Sequence, residues 1–319
     1  MQVKPRIAIG GENLIDSVHS ITPSGDPLRR DNLGGSPYNV AVAMARQGVF
    51  AHYLTPISND PFGETLCQNL TNEGVMASGP RSEAPTTQAI VTLHDGVPQY
   101  AFLRENTAER AVTADIIDAA MPDDATHFHA GSLAFAGSPD ADAWEAAFHK
   151  AAGQGLFTSL DPNVRPSLID DPAAYRTRFQ RLLSSASLVK LSDEDLAWIY
   201  PDLDPEHAMT QLRRDTDASF IALTKGPLGA ECWVGAQHCV AENPPIAMLA
   251  DTIGAGDTFM ATLLTQAMAK DDTIASMSHS ECASLLKRCI YAACLNCTKH
   301  GCHPPTAAAI DAALAKGTT

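Results

Sequence analysis

Short apolar runs alternate with helical patterns along most of the chain. The runs have the length of buried strands and cover 7–10, 52–57, 126–131, 157–160, 188–191 and 220–224. Apolar residues spaced three or four positions apart follow most of them, at 37–47, 64–72, 141–152, 173–183, 193–199 and 258–269. This alternation predicts an α/β fold with a mostly parallel central sheet, covered by helices on both faces. A long helix is expected over 274–298, and a short or frayed helix over 307–316.

Two stretches interrupt the alternation, because their strands have no helical crossover. One contains strand-like pieces joined by a turn at Pro23–Pro27, and the other is a predicted hairpin around His94–Val97. We expect residues 11–33 and 87–104 to form a small antiparallel sheet. This sheet would be a lid on a single domain that spans 1–319, and a lid can exclude water from a site.

Composition and charge exclude several classes of protein. The chain has 22 basic and 37 acidic residues, a net charge of −15, and no basic run, so we expect no nucleic-acid partner. No apolar stretch has the length of a membrane span, and residues 1–6 lack a signal-peptide pattern. We therefore expect a cytoplasmic protein without a membrane partner. Cys294-x-x-Cys297 has zinc-like spacing, but the apolar stripe around it favours reduced, buried thiols.

The run DTIGAGDTF at 251–259 is the strongest indication of chemistry. Its two glycines form a turn that opens into an apolar helical pattern. Free backbone N–H groups at such a helix start attract phosphate, and the helix dipole adds to the attraction. The negative charge of Asp257 would repel phosphate, unless this residue takes a proton from the group that attacks the phosphate. The run therefore predicts phosphoryl transfer to a hydroxyl.

Polar residues and glycines follow several of the other predicted strands, where an open α/β sheet binds its ligands. Near the N-terminus, two glycines precede a helix that carries Asn39, whose amide can both donate to and accept from a sugar hydroxyl. Asp16 follows the first strand, and its carboxylate can accept bonds from two adjacent hydroxyls. Arg165 follows another strand, where its charge can neutralise a phosphoryl group or contact the sugar.

Together these segments resemble the ribokinase (PfkB) family of carbohydrate kinases. The run at 251–259 is similar to the C-terminal signature of that family, and G-G-x-x-x-N-x-A at 34–41 is similar to its N-terminal signature. D-x-N-x-R at 161–165 resembles the fructokinase-like branch, and the resemblance covers Ile7 to about Pro305. It implies a three-layer α/β/α fold with a small β-sheet lid, ATP-dependent phosphorylation of a sugar, and dimerisation through the lids.

The resemblance also implies a role for each site residue. Catalysis would involve the base Asp257, an anion hole, and a phosphoryl-neutralising arginine: Asp257, Gly254, Ala255, Gly256 and Arg165. The expected sugar-binding residues are Asn13, Asp16, Gly34, Gly35, Asn39, Arg104 and Asn163. The expected ATP-binding residues are Lys190, Ser192, Thr224, Gly226, Gly229 and Asn296.

The expected metal sites depart in part from the family pattern. Many members carry Asn-x-x-Glu where this chain has Ser192 and Asp195, a motif tied to Mg²⁺ and phosphate through water. Asp195 keeps the negative charge, and Glu194 is expected to share the role. Asp251 corresponds to a monovalent-cation site of the family, which suggests K⁺.

Two alternatives to a fructokinase remain open from the sequence. A 2-keto-3-deoxygluconate kinase would need positive charge for the carboxylate of its substrate, and Arg104 and Arg165 are the candidates for it. A sugar-sensing binding protein on a kinase scaffold is the non-enzymatic alternative, against which the intact run at 254–257 argues. No Walker loop and no Gly-x-Ser-x-Gly elbow is present, so neither a P-loop kinase nor a serine hydrolase is indicated.

Overall fold

The computed structural model describes residues 6–21, 27–94, 97–246 and 248–319. The central parts of the predicted turns at Pro23–Pro27 and His94–Val97 lie outside these residues. In chain order, the strands are β1 (Arg6–Gly10), β2 (Leu14–Ile21), β3 (Pro27–Gly34), β4 (Phe50–Tyr53), β5 (Ile57–Ser58), β6 (Met76–Ala77), β7 (Arg81–Ser82), β8 (Thr87–His94), β9 (Val97–Leu103), β10 (His127–Gly131), β11 (Phe157–Asp161), β12 (Leu188–Ser192), β13 (Phe220–Thr224), β14 (Ala230–Val234) and β15 (Gln237–Ala241). The helices are α1 (Ser36–Arg46), α2 (Pro61–Glu73), α3 (Ala114–Ala120), α4 (Asp140–Gly153), α5 (Pro172–Leu183), α6 (Asp193–Ile199), α7 (Pro205–Asp215), α8 (Ala255–Ala269), α9 (His279–Asn296) and α10 (Ala307–Lys316).

The main sheet has nine strands in the order β15-β14-β13-β12-β11-β10-β1-β4-β6. Its strands are parallel from β6 to β13, and only β14 runs in the opposite direction, paired with β13 and with the edge strand β15. A separate sheet of four strands has the order β3-β2-β8-β9, and β5 pairs with β7. The predicted α/β class, with a mostly parallel sheet and a second, smaller sheet, is confirmed. The smaller sheet is not fully antiparallel as expected, because β2 and β8 pair in parallel.

Helices cover both faces of the main sheet. Because side chains alternate along a strand, Ile7 and Ile9 of β1 face one hydrophobic core and Ala8 faces the other. The first core contains buried residues of α1, α2, α8 and α9, and the second contains those of α3 to α7. The three-layer arrangement implied by the sequence is therefore confirmed. Among the described residues, none of the helices is long and apolar enough to cross a lipid bilayer.

Two predicted elements end earlier or begin later than expected. The strand predicted over 52–57 stops at Tyr53, because Thr55 turns the chain by donating from its hydroxyl to Gly11 O, 2.5 Å away. The helix predicted over 274–298 begins only at His279, where Ser278 and Glu281 form a capping box. The sequence prediction also missed the β14–β15 hairpin and the helices α3 and α7.

The parallel strands place their following loops at one edge of the main sheet. The loops after β1, β10, β11, β12 and β13 all leave from the carboxyl ends of neighbouring strands. The small sheet starts at the same edge, since β2 begins four residues after the end of β1. This edge is where an open α/β sheet gathers its ligand-binding groups.

Gly10 provides a test of the packing beneath this edge. A Cβ on Gly10 would lie 2.1 Å from Cζ3 of Trp144, a buried residue of α4 that cannot move without disturbing the second core. We expect Gly10→Ala to lower the free energy of unfolding by about 1–3 kcal/mol through overpacking. Gly153→Ala is the matched control, because its Cβ would meet no atom within 4 Å. Urea denaturation measures both, and equal effects would contradict this account of the packing.

Candidate active site

Asp257 lies in the first turn of α8, with a glycine at the cap of that helix. Gly254 has φ 74° and ψ 6°, a left-handed conformation that favours glycine. A Cβ at Gly254 would also lie 2.4 Å from Sγ of Cys302. Both the backbone conformation and the close packing therefore require glycine at position 254, where α8 begins.

Three side chains hold the carboxylate of Asp257, which is 7% exposed. Ser36 Oγ donates to Oδ1 over 2.7 Å, Asn39 Nδ2 donates to Oδ2 over 2.8 Å, and Asn163 Nδ2 lies 3.5 Å from Oδ1. Ser36 and Asn39 belong to α1, more than 200 residues away along the chain. The two segments that carry the family signatures therefore meet at this carboxylate.

The backbone around Gly256 presents free donors next to Asp257. Thr258 N donates to Gly254 O over 2.8 Å, and Ala255 N donates to Thr252 O over 3.2 Å. Within the described ranges, the N–H groups of Gly256 and Asp257 have no hydrogen-bond acceptor. Unpaired N–H groups at a helix N-terminus form an anion-binding site.

Asn296, which was expected to contact the nucleotide, supports this turn through both atoms of its amide group. Its Nδ2 donates to Ile253 O over 2.6 Å, and its Oδ1 accepts from His303 N over 2.8 Å. The residue is 0% exposed, so neither amide atom is presented at the surface of the site. Asn296 thus holds the turn in place.

A buried ion pair lies beside the free donors. Lys190 Nζ is 2.9 Å from Asp161 Oδ2, and a Cβ on Gly256 would lie 3.1 Å from the same ammonium. Burial alone would lower the pKa of Lys190, but the charges of Asp161 and Asp195 outweigh it and raise the pKa above its usual value. Asp161 Oδ1 is buried without a hydrogen-bond partner in the described part of the chain. The ammonium therefore adds a fixed positive charge next to the anion-binding turn.

The charges of Arg165 and Asp257 both act on Asp16. Burial raises the pKa of Asp16 to about 6, the charge of Arg165 lowers it, and the charge of Asp257 raises it. A Cβ on Gly34 would lie 2.4 Å from Asp16 Oδ2, so the carboxylate lies directly over this glycine. Gly35 has φ 105°, and a Cβ there would lie 2.4 Å from a backbone carbonyl oxygen. Both glycines are thus required for the close approach of the backbone to the site.

The loop after β11 brings Asn163 and Arg165 to the same place. Asn163 has φ 35°, which is uncommon for a residue other than glycine and turns the chain towards Asp257. Arg165 is exposed, and its Nη1 donates to Asn163 Oδ1 over 2.7 Å. The pair places one amide and one guanidinium beside the carboxylates of the site.

Ser192 and Asp195 are used to build the neighbouring loop. They form a capping box at the start of α6, in which Asp195 N donates to Ser192 Oγ over 3.0 Å and Ser192 N donates to Asp195 Oδ2 over 2.9 Å. Asp195 Oδ1 accepts from Val164 N over 2.7 Å. Glu194 is exposed, and within the described residues its carboxylate makes no hydrogen bond. Glu194 and Asp195 were predicted to reach Mg²⁺. Of the two, Glu194 has the carboxylate that is not engaged in hydrogen bonds within the described residues.

The loop after β13 also depends on glycines. Gly226 has φ 51° and Gly229 has φ 94°, and a Cβ on Gly229 would lie 2.1 Å from Ala241 O. Thr224 Oγ1 donates to Leu191 O over 3.4 Å at the base of this loop. Large apolar side chains are exposed in the loop and in the segment before α8, namely Leu228, Met248, Leu249 and Ile253. An apolar wall next to a glycine loop can accept an aromatic ring.

Asn13 and Arg104 are both buried and engaged within the protein. Asn13 Nδ2 donates to Pro56 O over 3.1 Å. The guanidinium of Arg104 forms ion pairs with Glu109 at 2.8 Å and Asp140 at 3.1 Å. The charge of Arg104 is therefore neutralised within the protein, and its expected contact with the sugar stays a prediction.

Asp251 connects the turn before α8 to the loop after α9. Its Oδ1 accepts from Ile253 N over 3.0 Å, and its Oδ2 accepts from Gly301 N over 2.7 Å. In the described part of the chain, no group of three or more His, Cys, Asp or Glu side chains is arranged to hold a metal ion. All eight cysteines are free thiols.

The sequence analysis assigned no role to Ser36, which contacts Asp257, or to Glu12, which contacts Ser36. Ser36 lies inside the N-terminal signature, where a hydroxyl at a helix start was a usable signal. Glu12 is buried, and its Oε1 accepts from Ser36 N over 2.8 Å. Only the tertiary contact shows that Glu12 belongs to the site.

Comparisons with known proteins agree with this geometry. Residues 29–309 match the sequence model of the family described as "pfkB family carbohydrate kinase". The chain is 34% identical over 260 residues to a fructokinase of Rhizobium leguminosarum bv. trifolii, which covers 80% of this chain and 77% of that protein. It is 29% identical over 310 residues to probable fructokinase-3 of Arabidopsis thaliana, which covers 95% and 88%.

A solved structure shows the same fold over almost the whole chain. Fructokinase of Xylella fastidiosa, with bound ATP, has a TM-score of 0.88 and 25% identity, and the match covers 98% of this chain and 99% of that one. A putative ribokinase II of E. coli, in complex with ATP and Mg²⁺, has a TM-score of 0.85 at 21% identity, which supports the fold alone. The signatures that converge on Asp257 and the match over residues 29–309 lead to one conclusion, that the chain belongs to the pfkB family of carbohydrate kinases.

Proposed function

We propose that this carbohydrate kinase transfers the γ-phosphoryl group of ATP to a hydroxyl of D-fructose. The observation that carries the proposal is the carboxylate of Asp257, held by Ser36, Asn39 and Asn163 next to free backbone N–H groups. A base and an anion-binding turn in contact are the groups that phosphoryl transfer to an alcohol needs. The fructokinases to which the chain is similar support the choice of sugar.

In this mechanism Asp257 accepts the proton of the sugar hydroxyl while the hydroxyl oxygen attacks the γ-phosphorus in line. The bond from phosphorus to the bridging oxygen of ADP breaks, and ADP leaves with the electron pair. The N–H groups of Gly256 and Asp257 and the ammonium of Lys190 stabilise the charge on the phosphoryl oxygens. The exposed guanidinium of Arg165 neutralises that charge from the opposite loop.

We assign the nucleotide to the loop after β13. Gly226 and Gly229 let the backbone approach the phosphates, Thr224 offers a hydroxyl, and the exposed side chains of Leu228 and Met248 cover the adenine. Lys190, whose ammonium lies next to Gly256, would contact the γ-phosphate. Ser192, engaged in its capping box, shapes the loop next to the phosphates.

The metal ions belong to the same proposal. The exposed carboxylate of Glu194 fits Mg²⁺ bound through water, since Mg²⁺ keeps several waters and binds mainly to phosphates. When bound, Mg²⁺ neutralises charge on the β- and γ-phosphates. Asp195 is less suited to this contact, because both of its oxygens already accept backbone N–H groups. For the expected K⁺ site, Asp251 would act mainly by fixing the turn before α8, because both of its oxygens also accept backbone N–H groups.

The charges near the base favour a neutral sugar over a sugar acid. Of the two arginines that a carboxylate could use, Arg104 is neutralised by Glu109 and Asp140, which leaves Arg165 alone. The negative charges of Asp16 and Asp257 act on each other, and both would repel the carboxylate of a sugar acid. A 2-keto-3-deoxygluconate kinase is therefore the less favoured candidate. The complete base and anion-binding turn argue against a sugar sensor.

The small sheet is assigned as a lid formed by residues 11–33 and 87–104. Its strand β2 carries Asp16, so closure over the sugar would bring this carboxylate to the hydroxyls and exclude water. The strands β3 and β9 are the edges of this sheet, and unpaired edges suit pairing with a second lid. A homodimer through the lids follows as part of the proposal.

The role of Asp257 as the base is tested by substitution. We expect Asp257→Asn to lower kcat for fructose by about 10²–10⁴-fold, because the amide cannot accept the proton, while fructose still binds. ADP release with Mg²⁺ and ATP measures turnover, and calorimetry measures sugar binding. Asp118→Asn is the control, since Asp118 is an exposed residue of α3. Wild-type turnover in Asp257→Asn would exclude Asp257 as the base.

The sugar assignment is tested with a panel of substrates. We expect the highest kcat/KM with D-fructose among fructose, ribose, tagatose, adenosine and 2-keto-3-deoxygluconate, because the site is acidic and Arg104 is neutralised within the protein. ADP release at saturating ATP gives the comparison. Preference for the keto-deoxy acid would retain the chemistry and reject fructose, and sugar binding without turnover would favour a sensor.

The position of Asp16 is tested through Gly34. In Gly34→Ala the new Cβ displaces Asp16 Oδ2, which lies 2.4 Å from its position. We expect the KM for fructose to rise about tenfold, the cost of one or two weakened hydrogen bonds, with little change in the KM for ATP. Gly137→Ala is the control, because its Cβ would have no neighbour within 4 Å. An unchanged KM for fructose would show that Asp16 does not bind the sugar.

The effect of the Arg165 charge on Asp16 predicts a titration shift. Arg165 favours the charged form of Asp16, so Arg165→Gln should raise the pKa of Asp16 above about 6. Carbon-detected NMR of the Asp16 carboxyl group measures this directly. A pKa that stays the same or falls would show that the guanidinium does not face Asp16.

A further inference from the structure

We propose that Glu12 is a positioning residue for phosphoryl transfer, which holds Ser36 and through it the carboxylate of Asp257. This inference rests on the proposed function, because it takes Asp257 as the base. Glu12 follows β1 and is 2% exposed. It is not among the residues assigned above to bind the sugar, ATP or a metal ion. Its side chain must therefore have a use inside the protein.

Both carboxylate oxygens of Glu12 accept backbone N–H groups from different loops. Oε1 accepts from Ser36 N over 2.8 Å, and Oε2 accepts from Leu133 N over 3.1 Å. Ser36 is the first residue of α1, so this N–H has no acceptor within its own helix. Glu12 thus satisfies a buried helix start and joins it to the loop after β10.

The hydrogen bonds continue from Ser36 to the base. Ser36 Oγ donates to Asp257 Oδ1 over 2.7 Å, so the hydroxyl position set by the backbone of Ser36 determines one face of the carboxylate. Gly35 allows this approach, since a Cβ there would lie 2.4 Å from Glu12 O. A shift of the start of α1 would therefore move the group that orients the base.

The same hydrogen bonds also continue from Leu133 to the exit of the small sheet. Leu133 O accepts from Arg104 Nη2 over 3.0 Å, and Arg104 directly follows β9. Arg104 is anchored by Glu109, which also accepts from Thr87 at the start of β8. One continuous path of hydrogen bonds thus joins both ends of this β8–β9 hairpin to the base.

The function of Glu12 depends on its charge. A carboxylate can accept both N–H groups, whereas the protonated acid carries a hydroxyl that competes with one of them. The pKa of Glu12 is raised to about 7. Burial is the largest cause and the charge of Glu109 also raises it, while hydrogen bonds from the backbone of Ser36 and the Ser132 hydroxyl lower it. Arg104 and Tyr53 also face it, and Arg104 favours the carboxylate. The hold on Ser36 should be complete above pH 7 and be lost as the pH falls below it.

The test compares Glu12→Gln, Ser36→Ala and the double variant at pH 8. Each single variant should lower kcat by about 10- to 100-fold, since a small displacement of a reacting group has effects of this size. The KM for ATP should stay within about twofold, as no ATP contact is removed. The double variant should lose less than the product of the two single losses, because both act on the same hydrogen bonds.

The pH profile gives a second readout that a purely structural role would not change. In the wild type the acid limb of kcat should lie near pH 7, and in Glu12→Gln it should move towards pH 6, where burial places the pKa values of Asp16 and Asp161. Glu145→Gln is the control, because Glu145 pairs with Arg178 and Arg181 on distant helices. It should keep both kcat and the acid limb.

The outcomes separate this inference from the proposed function. A folded Glu12→Gln with wild-type kcat and pH profile, or fully additive losses in the double variant, would overturn the positioning role. If Glu12→Gln fails to fold, Ser36→Ala decides: a lowered kcat with a flattened limb near pH 7 supports the role, and an unchanged kcat overturns it. Turnover in Asp257→Asn would instead reject the base, and with it the proposed function.

Discussion

The contact between the start of α1 and the start of α8 is the constraint on which the rest of the site depends. Ser36 and Asn39 donate to the two oxygens of Asp257, and these bonds join segments more than 200 residues apart in the sequence. Gly35 and Gly254, both at positive φ, allow the two helices to begin at this point. Because a carboxylate must be oriented towards one proton to act as a base, every neighbouring loop is arranged around it.

Several buried charges surround this contact, and each is compensated by a neighbour. Lys190 pairs with Asp161 beside the anion-binding turn, and Arg104 pairs with Glu109 and Asp140 beneath the small sheet. An unpaired charge at such depth would cost several kcal/mol, so these pairs are closely coupled to the fold. The paired groups provide a fixed electrostatic environment, which stabilises a developing charge without reorganisation.

Several residues expected to bind ligands also make hydrogen bonds or ion pairs inside the protein. Asp195 occupies the metal-linked position of the family pattern, yet both of its oxygens accept backbone N–H groups that shape the loop of Arg165. Asn296 is fully buried, and Arg104 is neutralised within the protein. Shape-determining and ligand-facing residues therefore alternate within the same motifs, and hydrogen-bond partners distinguish them.

The sequence by itself determined the elements and the chemistry. Short apolar runs predicted six parallel strands of the main sheet, because strands covered on both faces are apolar throughout, and helical spacing predicted most of the helices. The glycine turn with Asp257 predicted phosphoryl transfer, since free N–H groups at a helix start attract phosphate and an aspartate there can accept a proton. The partners of Glu12, Arg104 and Asn296 were decided only by the tertiary structure. These contacts join residues distant along the chain, and no local pattern encodes which buried polar groups will face each other after packing.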